Sequence, residues 1–124
     1  MEAESQARQQ RKRRLLRELA ELHLEEMGEA GNFDPTQRFG AIERAASELG
    51  KQLSRETMEQ ASREVAADGP PQAPCPTCGA VCDVTPRRRT VKSIDGPIEL
   101  TEAVADCRRC RRSFFPSADG AGIR

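Results

Sequence analysis

The chain has no tryptophan and no tyrosine, and its phenylalanines are only Phe33, Phe39, Phe114 and Phe115. A large aromatic-lined core is therefore excluded. With 36% hydrophobic and 32% charged residues over 124 positions, the sequence has room for one modest domain or two small pieces. No apolar run is long enough to span a bilayer, and the basic N-terminus is not followed by the apolar stretch of a signal peptide. The expected compartment is the cytoplasm. Net charge is zero, so global charge does not select a partner. The charges are segregated instead: Arg8, Arg11, Lys12, Arg13, Arg14 and Arg17 form a basic block, followed at once by Glu18, Glu21, Glu25, Glu26 and Glu29.

Against this background the cysteines stand out. Cys75-Pro-Thr-Cys78-Gly79 and Cys107-Arg-Arg-Cys110 are two CxxC pairs separated by a strand-forming insert. Each CxxC puts two thiolates on one tight turn, and two such turns brought together complete the tetrahedron zinc prefers. The segment after Pro74 is short enough to need a metal, disulfides or a partner in order to fold, and in a reducing compartment paired CxxC motifs read as metal ligands rather than disulfides. Cys75, Cys78, Cys107 and Cys110 are thus expected to hold one structural Zn2+. Gly79 supplies the positive φ that closes the first knuckle, whereas the second has Arg111 at the equivalent place. Cys82 reads as a strand residue, with an exchange against Cys78 left open, and His23 as a helix-face residue rather than a ligand.

The fold class expected is α+β: N-terminal helices, either a hairpin or dimerising helices, followed by a small antiparallel β zinc ribbon. Residues 1–67 read as helical. Leu16, Leu19, Ala20, His23 and Met27 form a stripe on the first helix, ended by Gly28, Gly31 and Asn32. Asp34, Pro35 and Gln37 suit the start of a second helix. Its stripe is Phe39, Ile42, Ala46, Leu49 and Leu53, continued by Met58, Ala61 and Val65, with Gly50 as a weak point. Residues 68–74 read as a proline-rich linker. In the ribbon, 75–116, strands are expected at Ala80–Val84, Arg88–Ser93 and Ile98–Asp106, with a turn at Asp95-Gly96-Pro97 and Phe114, Phe115 and Pro116 as an apolar lid. Residues 117–124 form a tail.

A four-cysteine site is closed to substrate and water, and the acidic residues form no separate two-metal constellation, so the expectation is a protein that is not an enzyme and has no small-molecule substrate. Arg87, Arg88, Arg89, Lys92, Arg108, Arg109, Arg111 and Arg112 cluster on the ribbon and are candidates for phosphate contact. The rival readings are a protein-interaction module with dimerising helices and, more remotely, a thiol redox protein.

From Phe39 onward the chain resembles the N-terminal region of bacterial insertion-sequence transposases of the Kra type. The resemblance rests on Phe39-x-x-Ile42-Glu43, Leu49-Gly50-Lys51-Gln52-Leu53, Cys75-Pro76-x-Cys78-Gly79, Arg89-Thr90-Val91-x-Ser93-x-x-Gly96-x-Ile98-x-Leu100 and Cys107-x-x-Cys110-x-x-Ser113-Phe114-Phe115-Pro116. It implies a DNA-binding part of a transposase without the DNA-cleaving domain, truncated or stand-alone. DNA, as transposon end or target, is the expected partner, with a nucleoid-associated location and a homodimer through the helices as the further partner expectation. The family often carries an arginine and an aromatic on the strand before the second CxxC; here that stretch reads Thr101-Glu-Ala-Val-Ala-Asp106.

Overall fold

The structure is a computed structural model that describes residues 1–31 and 38–116. Its elements are α1 (Glu2–Glu29), α2 (Phe39–Ala67), β1 (Gln72–Pro74), β2 (Val81–Ser93), β3 (Gly96–Cys107) and β4 (Arg112–Phe114), the α+β arrangement of two helices followed by an antiparallel sheet. The chain divides into two compact units, Met1–Gln52 and Leu53–Arg124. Among the described residues no helix is long and apolar enough to cross a membrane.

In the first unit α1 ends as its glycines suggest, with Gly31 at φ 76 and its N–H donated to the Gly28 carbonyl at 3.1 Å. Asn32 and the Asp34-Pro35-Gln37 start signal lie outside the described residues. His23, 7% exposed, donates from Nε2 to the carbonyl of Ala45 at 2.8 Å, and Ala45 is itself buried. His23 is thus a packing residue on the helix face. Leu19, Ala20 and Met27 of the expected stripe are half-buried, but Leu16 is exposed.

The second unit contains the end of α2 and a four-stranded sheet in the order β1-β2-β3-β4, antiparallel throughout. β2 and β3 make a long hairpin whose two-residue loop is Ile94-Asp95, flanked by the pair Ser93↔Gly96. The turn therefore sits one residue earlier than the Asp-Gly-Pro signal implies, and Gly96, at φ 115, opens β3. β2 also runs unbroken through Pro86. Counting alternate pairs from the loop, Pro86↔Ala103 is a non-hydrogen-bonded pair. The proline nitrogen faces away from β3 and no ladder bond is lost.

Two other expectations are corrected. Residues 72–74, read as linker, form β1, with Ala73 buried opposite Cys82 and the Pro71 carbonyl accepting from the Val84 N–H at 2.9 Å. As the sheet's edge strand, β1 tolerates proline where an inner strand would not. The second half of α2, expected to stand apart from the ribbon, bonds to it; of the stripe Met58, Ala61 and Val65 only Met58 is half-buried, and Val65 is 75% exposed. Polar side chains meet the sheet instead. Glu59 Oε2 accepts from the Glu99 N–H at 2.8 Å, Ser62 Oγ accepts from the Thr101 N–H at 3.1 Å, Arg55 donates to the Asp95 carbonyl at 2.7 Å and Ser54 to the Asp95 carboxylate at 2.5 Å. The reason lies in the ladder. Glu99 and Thr101 point their N–H groups away from β2, and β4 reaches only Ala105 to Cys107. That stretch of β3 is an uncovered edge, and α2 supplies the acceptors it lacks.

α2 is continuous through Gly50, and a Cβ built there meets nothing within 4 Å. Gly50→Ala is expected to raise stability by about 0.5–1 kcal/mol through helix propensity alone. Chemical denaturation followed by helical circular dichroism measures it.

Candidate metal centre

Cys75 and Cys78 lie on the turn between β1 and β2, and Cys107 and Cys110 on the turn between β3 and β4. The hairpin returns the chain so that β4 pairs with β3 and both turns fall at the same end of the sheet. The first knuckle is closed by Gly79 N–H to the Cys75 carbonyl, 2.9 Å, and Cys75 N–H to the Ala80 carbonyl, 2.8 Å, with Gly79 at φ 77. At the equivalent place in the second knuckle, without a glycine, Arg111 takes a left-handed φ of 56. For a side-chain-bearing residue this left-handed conformation costs roughly 1 kcal/mol, and closure of the turn holds it there.

The four Sγ atoms lie within 4.8 Å of one another. Cys75 and Cys110 sulfurs are 3.8 Å apart and those of Cys78 and Cys107 3.5 Å. A tetrahedron with zinc–sulfur bonds of about 2.3 Å places its sulfurs about 3.8 Å from one another. The residues present therefore fit one four-thiolate metal ion such as zinc, and the separations are far longer than a disulfide's roughly 2.05 Å. Bound there, the ion would be structural, since four protein ligands fill its coordination sphere.

The knuckles also tune the ligands. Backbone N–H groups of Cys78 and Thr77 pull the Cys75 thiol down to about 6, and the Cys110 N–H lowers Cys107 in the same way. Thr77 N lies 3.4 Å from the Cys75 sulfur and Cys110 N 3.4 Å from that of Cys107. Cys110 goes the other way, pushed up to about 12 by hydrogen bonding to Cys78 and by burial. The knuckle amides thus favour the thiolate form at the first cysteine of each pair, whereas neighbouring sulfur and burial oppose it at Cys110. Cys82 stays outside the cluster: it is 6% exposed, donates to the Ala80 carbonyl at 3.3 Å, and burial raises its thiol.

Cys75, Cys82, Ala105 and Cys107 form the buried core of this end, with Ala80, Val84, Cys110 and Phe114 packed against them. Of the expected lid only Phe114 joins that core. Phe115 is 36% exposed, because successive side chains along an extended strand point to opposite faces.

The basic residues separate into two groups. Arg87 pairs with Asp106, Arg88 with Glu99 at 3.2 Å and Arg89 with Glu102 at 2.5 Å. The pleat places Arg87 and Arg89 on one face and Arg88 and Lys92 on the other, so the hairpin residues form no single patch. Arg108, Arg109, Arg111 and Arg112 crowd the second knuckle, all exposed. Neither they nor Lys92 take part in an ion pair among the described residues. Asp106 is the residue that sequence reasoning passed over. Its carboxylate accepts from Ser113 Oγ at 2.5 Å and from Arg87, which together hold it below the usual carboxylate range. It links β2, β3 and β4 beside Cys107; the clue was an acid immediately before a ligand and a serine three residues after the second CxxC.

Two outcomes are expected. Arg111→Gly should stabilise the zinc-loaded protein by roughly 0.5–1 kcal/mol in thermal or denaturant unfolding, whereas Arg111→Val should destabilise it. Apparent zinc affinity, measured by competition with a chromophoric chelator, should rise at least about tenfold per pH unit between roughly pH 6.5 and 8.5, since binding must displace the Cys110 proton; a flat profile would contradict the four-thiolate site. Comparison with protein-family models, curated proteins and solved structures finds no match for the chain.

Proposed function

We propose that the chain is a zinc-stabilised DNA-binding module that lays its second knuckle against backbone phosphates, as expected for the non-catalytic region of an insertion-sequence transposase. The observation that carries this is the set Arg108, Arg109, Arg111 and Arg112, exposed and without an ion pair among the described residues, around two of the four clustered cysteines. Four thiolates on one divalent ion leave the site net negative, and the knuckle arginines more than offset that charge. Their surplus is available to phosphate, where arginine's planar fork is well matched. On this reading Arg87, Arg88 and Arg89 are framework residues: their charge is met by Asp106, Glu99 and Glu102. The module contributes binding and positioning and no catalysis of its own, and phosphate contact alone does not read base sequence.

Binding of the zinc-loaded full chain to duplex DNA should weaken steeply as salt rises from roughly 50 to 200 mM. Replacing Arg108, Arg109 and Arg112 by alanine should reduce the slope of log affinity against log salt by about 2 to 3, whereas Arg88→Ala should leave it in place. A folded, zinc-loaded protein whose DNA binding shows no salt dependence would sink this reading.

A further inference from the structure

α1 is a 28-residue helix in which His23 is the buried residue. Packing of that kind does not by itself hold so long a helix in water. Leu15 is 50% and Leu22 56% exposed, and with half-buried Leu19 they follow i, i+4, i+7 spacing along one stripe. The stripe sits at the junction of the basic block, Arg8 to Arg17, and the acidic run, Glu18 to Glu29. Among the described residues none of these charges is in an ion pair. Their order is unfavourable for an isolated helix. The last turn carries no base, so its glutamates lie at the negative end of the helix dipole. The i, i+4 pairs Arg14/Glu18 and Arg17/Glu21 have the base first, the weaker orientation.

Each feature is accounted for by a partner helix that is acidic where α1 is basic, basic where α1 is acidic, and apolar at the middle. Run backwards, α1 is that helix. We infer that this protein self-associates through α1 as an antiparallel homodimer, with Leu15, Leu19 and Leu22 of the two copies around the two-fold axis and each basic block along the other copy's acidic run. A parallel pair would set like charge against like over the whole length. The antiparallel one relieves both helix ends and covers the exposed leucines.

Sedimentation equilibrium of the zinc-loaded full chain tests this. A dimer is expected at about 100 μM chain, weakening as salt screens the matched charges. Leu15→Glu with Leu22→Glu should weaken it about a hundredfold or more. Glu25→Lys with Glu26→Lys should weaken it about tenfold, and adding Arg11→Glu and Lys12→Glu to the same chain should restore it, with helix content checked by circular dichroism. Rescue by the full charge swap is specific to the antiparallel arrangement, because in a parallel pair positions 25 and 26 face their own copies. A monomeric wild type at that concentration, a dimer indifferent to the leucine changes, or a charge swap that fails to rescue would each overturn the proposal.

Discussion

The sheet depends on four sulfur atoms converging at one end of it. Cys75 and Cys107, two of the four residues of the buried cluster there, also belong to the four cysteines that could hold a metal ion, so the candidate metal centre and the hydrophobic core share residues. Ala105, fully buried, and Cys82 add little volume, and without a bulky apolar residue the cluster has little transfer free energy to offer. A metal ion bound by the four cysteines would supply what is missing, on the order of 10–16 kcal/mol of apparent binding free energy in comparable sites. The pull of the backbone N–H groups on Cys75 and Cys107 follows from the same geometry: closing a knuckle turns amides toward sulfur whether or not a metal is present.

From that fixed end the hairpin projects as a long two-stranded ribbon, and a two-stranded ribbon is marginal alone. The structure supports it in two ways. Ion pairs from Arg87, Arg88 and Arg89 cross between the strands on both faces, and α2 lends Glu59 and Ser62 to the exposed edge of β3. The polarity of this helix face, unusual for packing on a sheet, reflects what it covers. A row of strand N–H groups needs acceptors more than it needs methyl groups.

The cysteine spacing made the four-sulfur cluster and the ribbon's order legible, and the equivalence of Gly79 and Arg111 made even the left-handed residue of the second knuckle visible in advance. What escaped was set by register. β1 is three residues long at an edge and rich in proline, too short to show a period. Pro86 reads as a strand break unless one knows that its nitrogen faces outward, and this follows only from where the loop falls. The same shift of one residue in the turn decides which acids oppose which arginines, so the division between framework and free arginines was not readable from composition. Likewise the polar face of α2 finds its meaning only when β4 is seen to stop short along β3.

The stretch Thr101 to Asp106 bears on this division. Glu102 and Asp106 stand there, and they are the acids that hold Arg89 and Arg87. Here the acids pair with the β2 arginines, and the sheet's arginines without an ion pair among the described residues lie on the knuckle from Cys107 into β4. A phosphate-contacting surface built on a metal-held turn is more rigid than one built on a ribbon tip, and less of its binding free energy is lost in ordering side chains. Apart from Lys92 beside the hairpin loop, the sheet's cations without an ion pair among the described residues therefore lie next to the cysteine cluster.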